Sequence, residues 1–245
     1  MKKIVRILSI SLFIAALAAS GSRFHPRAIA APPDSRNIAQ PGNTQNDLSA
    51  VQKPPGVKPI IQLVPLGKVK KEHIDLLVRT IDEIYAVEVL IVPRSEFPAA
   101  AYVRAGKRWM ADPVLELLDR MKPPQALKMI GLTDEDLCAA TEKSPTWGIL
   151  GIGMLNGSSC VVSTWRLGAR FNNPRMPELL SKVVAHELGH TFNLLHCPDR
   201  SCVMQDASGT IRSLDHEKAF CPACQRTLGA LLRPDSAYAH WSENQ

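Results

Sequence analysis

Between Ala185 and Met204 the chain reads AHELGHTFNLLHCPDRSCVM, and three of its seven histidines fall within eleven consecutive positions there. His186 and His190 are four residues apart. On a helix that spacing puts both imidazoles on one face, about one turn (~6 Å) apart along the axis, so that both can reach one ion at roughly 2.0–2.1 Å. Glu187, beside the first of them, is placed to hold a water at the metal. A third nitrogen comes from His196. A straight helix would carry His196 away from the pair, so the chain must bend after His190 at a residue that tolerates positive φ. Asn193 stands there, and asparagine is at ease in that conformation. Three imidazoles leave the fourth corner of a tetrahedron open, the arrangement of a catalytic zinc. The chemistry this implies is hydrolysis by a zinc-activated water, with Glu187 as the general base that takes its proton and passes it to the leaving amine.

Four of the six cysteines cluster next to this stretch: Cys197, Cys202, Cys221 and Cys224, spaced C-x4-C-x18-C-x2-C. Two close pairs separated by a loop suit a closed zinc site with four thiolate ligands. A helix opening at Pro222 would place Cys221 where backbone N–H groups stabilise thiolate. Two disulfides are the rival reading if the chain is exported to an oxidising compartment. A zinc ribbon that reads nucleic acid is a third, opposed by charge. Cys138 and Cys160 are left over, either bridged under oxidising conditions or buried as free thiols.

With these residues in order, the sequence resembles the archaemetzincins, a branch of the metzincin metallopeptidases. Members carry H-E-x-x-H-x-x-G-x-x-H, then C-x4-C-x-M, and after a loop C-x-x-C. Here the same series is His186, Glu187, His190, His196, Cys197, Cys202, Met204, Cys221 and Cys224, with Asn193 where the family has Gly. The resemblance extends loosely back to Ile60. It implies an α/β fold with a mixed, twisted sheet, an antiparallel edge strand, an active-site helix and flanking helices. It also implies a small C-terminal subdomain with a Met-turn and the four-cysteine zinc site. Met204 would form a hydrophobic floor under the zinc histidines. Two zinc ions per chain are expected, one catalytic and one structural, with a peptide or protein as substrate. The run from Trp147 to Leu155 looks like the family's edge strand, whose free backbone groups pair with an extended peptide.

The elements that position these residues are legible in the apolar periodicity. Ile60 to Pro65 is a β-branched run, a predicted strand, and His73 to Tyr85 carries Ile74, Leu77, Val78, Ile81 and Ile84 at helical spacing. Val87 to Val92 predicts a second strand, Leu115 to Met121 a helix and Ala126 to Leu132 another strand. Trp147 to Leu155 and Cys160 to Trp165 are apolar runs joined by Asn156-Gly157-Ser158-Ser159, a hairpin signal. Pro177 opens the histidine-bearing helix, with Glu178 in its first turn. Pro222 opens a last helix to Leu232, stopped by Arg233-Pro234. Arg166, Arg170 and Arg175 precede the histidine helix, as contacts for an acidic substrate or as a solvated basic loop.

Of the 245 residues, 45% are hydrophobic and 21% charged, a globular balance. The net charge of +6 misleads, because Lys2, Lys3, Arg6, Arg23 and Arg27 lie in residues 1–30, which hold no acidic side chain. Without them 24 basic residues face 23 acidic, a net of +1, so charge gives nucleic-acid binding no support. Residues 1–30 have the pattern of a signal peptide: a basic start, an apolar run from Ile7 to Ala19, and small-residue sites ending at Ala18 or Ala30. That run is shorter than the ~20 residues a membrane span needs. A secreted or periplasmic location follows as an expectation. Residues 31–58 hold Pro32, Pro33, Pro41, Pro54 and Pro55 among polar residues and are expected to be a disordered linker. The expected peptidase domain is 59–234, with a tail at 235–245. Two alternatives stay open at this stage, a zinc-bearing module that binds peptides without cutting them and a metal store. Oligomeric state is not legible.

Overall fold

A computed structural model describes residues 58–232 apart from 143, 170, 171 and 207–209. The segments expected to be the signal peptide, the linker and the tail, and Arg170 with them, lie outside the described residues. The order of elements is β1 (Ile60–Pro65), α1 (Lys71–Tyr85), β2 (Glu88–Ile91), β3 (Tyr102–Val103), β4 (Arg108–Met110), α2 (Ala111–Met121), β5 (Ala126–Thr133), β6 (Leu137–Ala139), β7 (Trp147–Ile149), β8 (Gly151–Gly153), β9 (Ser159–Ser163), α3 (Met176–Thr191) and α4 (Pro222–Leu231).

The main sheet has the order β2-β1-β5-β9-β8. Its first four strands run parallel and β8 pairs antiparallel with β9, closing the sheet with an antiparallel edge. Alternation along the parallel strands sends Ile61, Leu63, Ile130, Leu132, Cys160 and Val162 to one face and Val64, Met129 and Val161 to the other. The first face packs on α1 and α3, the second on α2. Leu194, Cys202, Met204, Leu214 and Leu228, all beyond α3, join the α1/α3 core. A second, four-stranded sheet of order β3-β4-β6-β7 borders the α2 side. Its strands are two or three residues long, too short to show periodicity, and only β7 fell within an expected strand.

The run Trp147 to Leu155, expected as one strand, is two. Ile149 and Ile152 bury in the α2-side core while Leu150 buries in the α1/α3 core. No continuous strand puts residues three apart on one face, so the chain turns at Leu150 and passes from one sheet to the other. The hairpin itself stands, with Gly151 opposite Val162 and Gly153 opposite Cys160. Its connection is longer than a two-residue turn: Gly157 N–H bonds the Met154 carbonyl and Asn156 takes a left-handed φ of 52°.

Three Arg–Asp pairs organise the loops. Asp136 accepts from Arg108 Nε at 2.8 Å and from Arg166 Nε at 2.7 Å, so Arg166 is committed to a buried carboxylate. Arg175 Nη2 meets Asp215 Oδ1 at 2.8 Å. His73 is buried with Nδ1 2.8 Å from Asp134 Oδ1. Cys138 and Cys160, in different sheets, are buried free thiols.

Candidate zinc centre

Helix α3 carries His186, Glu187 and His190, and it ends where the third histidine requires. Asn193 adopts φ 64°. Its N–H bonds the His190 carbonyl at 2.9 Å, and Leu194 N–H reaches back to the Gly189 carbonyl at 3.1 Å. This pair of bonds around a left-handed residue is a Schellman ending. It satisfies two terminal carbonyls and reverses the chain, so His196 returns over the face that bears His186 and His190. The ligand atoms of the three imidazoles all lie within 4.8 Å of one another.

The hydrogen bonds decide which nitrogens face inward. His186 Nδ1 is 2.7 Å from the Val203 carbonyl, and His190 Nδ1 is 2.7 Å from the Leu194 carbonyl. A carbonyl only accepts, so each Nδ1 carries the proton and each Nε2 presents a lone pair. The two Nε2 atoms stand 3.0 Å apart. Two lone pairs so placed repel each other unless a cation lies between them. Tetrahedral zinc at roughly 2.0–2.1 Å per nitrogen sets its ligands about 3.3 Å apart, so the donor set fits that ion. Burial, then the neighbouring imidazoles, holds His186 down to about 3 and His190 to about 4, and burial lowers His196 as well. All three are therefore neutral, the form that binds metal.

Glu187 is half-buried beside the first histidine. Burial pushes its carboxyl up to about 8, opposed by a hydrogen bond from the Gly153 N–H. That bond comes from β8, and the fit is close. A Cβ on Gly153 would collide with the main-chain oxygen of Glu187, and one on Gly151 would lie 2.8 Å from Glu187 Cγ. Two glycines spaced by two thus let the sheet edge lie directly on the helix. On the helix's other side Gly189 has the same role: a Cβ there would meet Met204 Sδ at 2.6 Å. Met204 is fully buried against the helix turn between the histidines.

Lys128 escaped the sequence reading. It is fully buried on the α3 face of β5, and its Nζ donates to the Thr191 carbonyl at 2.9 Å and the Gly157 carbonyl at 2.7 Å. It lies 5.1 Å from the centre of the Phe192 ring. One ammonium thus ties the β8–β9 loop to the end of α3, helped by Asn156 N–H on the His190 carbonyl at 3.0 Å. The available signal was a lone lysine inside the apolar strand ALKMIGLT. Burial lowers it to about 7.

The sulfurs of Cys197, Cys202, Cys221 and Cys224 also lie within 4.8 Å of one another, and all four are free thiols. Cys197 and Cys221 Sγ are 3.8 Å apart, close to the about 3.8 Å expected between tetrahedral ligands at roughly 2.3 Å from zinc. Backbone N–H groups at the start of α4 pull Cys221 down to about 7, whereas burial raises Cys202. Four thiols gathered within reach of one ion suit a closed metal site.

The profile of Peptidase family M54 matches residues 71–230. An archaemetzincin of Haloarcula marismortui is 32% identical over 181 residues, spanning 69% of this chain and 98% of the relative. One from Halobacterium salinarum is 30% identical over 177 residues, with the same coverage. Among solved structures, the archaemetzincin of Methanopyrus kandleri superposes with a TM-score of 0.62 at 32% identity, covering 72% of this chain and 96% of that one. The archaemetzincin of Archaeoglobus fulgidus complexed with malonate gives 0.57 at 25% identity, covering 69% and 99%. The mixed α/β fold, the histidine triad and the sequence match converge, and the chain belongs to the archaemetzincins, peptidase family M54, as a zinc metallopeptidase.

Proposed function

We propose that this metallopeptidase is exported and hydrolyses peptide bonds with Glu187 as general base. In this reading His186, His190 and His196 hold a catalytic zinc, and Cys197, Cys202, Cys221 and Cys224 hold a structural one. The observation that carries it is the set of three neutral imidazoles gathered at one point, two of them with inward Nε2 atoms, next to a carboxyl group bonded to the sheet edge. Zinc, when bound, acidifies water and polarises the scissile carbonyl. The rest is the work of the chain.

Ser163 N–H donates to the Leu150 carbonyl and Met154 N–H to the Ser159 carbonyl, so even-numbered residues of β8 spend their backbone groups on β9. Gly151 then points its N–H and carbonyl away from the sheet. An extended peptide can pair there, which sets its scissile carbonyl against the histidine face. The Gly153 N–H orients the Glu187 carboxyl, which the charge of a bound zinc would return to its ionised form. As a carboxylate it takes the proton from the attacking water and delivers it to the leaving amine. Met204 packs beneath Gly189 and keeps the helix turn between the histidines from sinking. Export rests on the basic-then-apolar pattern of residues 1–30.

The test is incubation of the mature protein and Glu187→Ala with a degenerate peptide library, the products being sequenced by mass spectrometry. Cleavage by the wild type alone is expected, with zinc bound to both and turnover of the variant down by a factor of about 10²–10⁴ or more. Near-wild-type turnover by the variant would remove Glu187 from its role.

A further inference from the structure

The three histidines are not oriented by the same part of the chain. His190 is self-contained, because its acceptor, the Leu194 carbonyl, belongs to the turn that ends its own helix. His186 donates instead to Val203, seventeen residues on and immediately after Cys202. His196 immediately precedes Cys197. Two of the three imidazoles therefore depend on the segment that carries the cysteines.

That segment packs on the core through Leu194, Met204 and Leu214 but carries little regular structure. Between Thr191 and Pro222 the described residues form one short helical turn, Ser213–Asp215, and a single bridge between Cys202 and Ala219. The strip 202–204 is tied where the sulfurs meet. Cys197 N–H donates to the Met204 carbonyl at 2.8 Å, Val203 N–H to the Ala219 carbonyl at 3.0 Å, and Cys221 N–H to Cys202 Sγ at 3.3 Å. Fixing the four sulfurs on one ion would fix the Val203 carbonyl and the start of the His196 loop together.

We infer that the four-cysteine cluster is a positioning device for His186 and His196, so that filling it raises the metal affinity of the histidine site. This rests on the two-site reading above. Partners that orient a metal-binding imidazole change affinity 10–100-fold when lost, and Val203 is such a partner for His186. Coupling of this kind is reciprocal, so a metal on the histidines also tightens the cluster.

The test uses the mature wild-type chain stripped of metal. Cd²⁺, which prefers thiolate, is added in one equivalent to fill the cluster, and Co²⁺ is then titrated into the histidine site and followed by its visible absorption. Co²⁺ is expected to bind at least about tenfold more tightly to the cadmium-loaded chain than to the metal-free one. Equal affinity in the two forms overturns the inference while leaving the zinc centre intact. Absence of any histidine-site Co²⁺ binding overturns the reading beneath it. Circular dichroism accompanies both titrations. A metal-free chain without its helices overturns positioning in favour of a general folding role. A second arm, Cys221→Ser with Cys224→Ser, removes two sulfurs that touch no histidine. Zinc affinity of the histidine site, read by competition with a chromophoric chelator, is expected to fall 10–100-fold. A change below about threefold counts against the inference.

Discussion

Burial at His186 and His190 has a consequence for metal retention. A proton competes with zinc for an imidazole only below that imidazole's own pKa. An ordinary pair, at roughly 6.5, would each cost about tenfold in affinity per pH unit below that value. Here the two groups are held down to about 3 and about 4, so protonation sets in only as the pH falls past about 4. Burial lowers His196 in the same direction. Histidine-site zinc affinity is therefore expected to fall far less between pH 7 and pH 5 than the loss of more than about a hundredfold for an ordinary pair, measured by chelator competition at fixed ionic strength. A hundredfold loss over that interval would show that burial does not protect the site. At Gly189 the constraint is space. Ala there puts a Cβ 2.6 Å from Met204 Sδ, and the overpacking is expected to cost about 1–3 kcal/mol in urea unfolding.

At the scale of elements, the decisive contact is between β8 and α3. Gly153→Ala forces the edge strand off the helix and carries the N–H that orients Glu187 out of place. kcat is expected to fall at least tenfold, with zinc content unchanged. Equal kcat would mean that the strand does not steer the base. Lys128 acts one step further away, at the loop. Lys128→Met withdraws a donor from the Gly157 and Thr191 carbonyls. A loss of about 1–3 kcal/mol is expected, with faster hydrogen exchange concentrated at residues 154–158. Exchange that rises uniformly across the sheet would contradict a local clamp.

For the whole molecule, every element described here lies within residues 60–231, and the family match spans 71–230. That match does not include residues 1–58. A chain beginning at Lys58 is accordingly expected to fold and to cleave peptides at the full-length rate. If the proposed export is right, N-terminal sequencing of the mature protein begins after Ala18 or Ala30. A mature chain that still starts at Met1 would refute it. Among the described residues no helix is long and apolar enough to cross a membrane.

Local chemistry was written plainly in the chain. The H-E-x-x-H spacing, Asn193 as the left-handed bend, Pro177 and Pro222 at helix starts, and the periodicity of α1, β1 and β5 follow from rules that act over four or five residues. Those features stand in the structure. The split of Trp147 to Leu155 at Leu150, the minute strands of the second sheet and the position of Lys128 did not follow. Each depends on which of two cores a side chain enters, or on carbonyls thirty to sixty residues away. The same holds for the site. Sequence alone determined which residues have ligand chemistry. The fold decided which nitrogen of His186 and of His190 faces inward, because that is set by the Val203 and Leu194 carbonyls. One of those acceptors is local to the helix ending and the other comes from a distant loop. A hydrogen bond to a distant loop exists only once packing has brought that loop home.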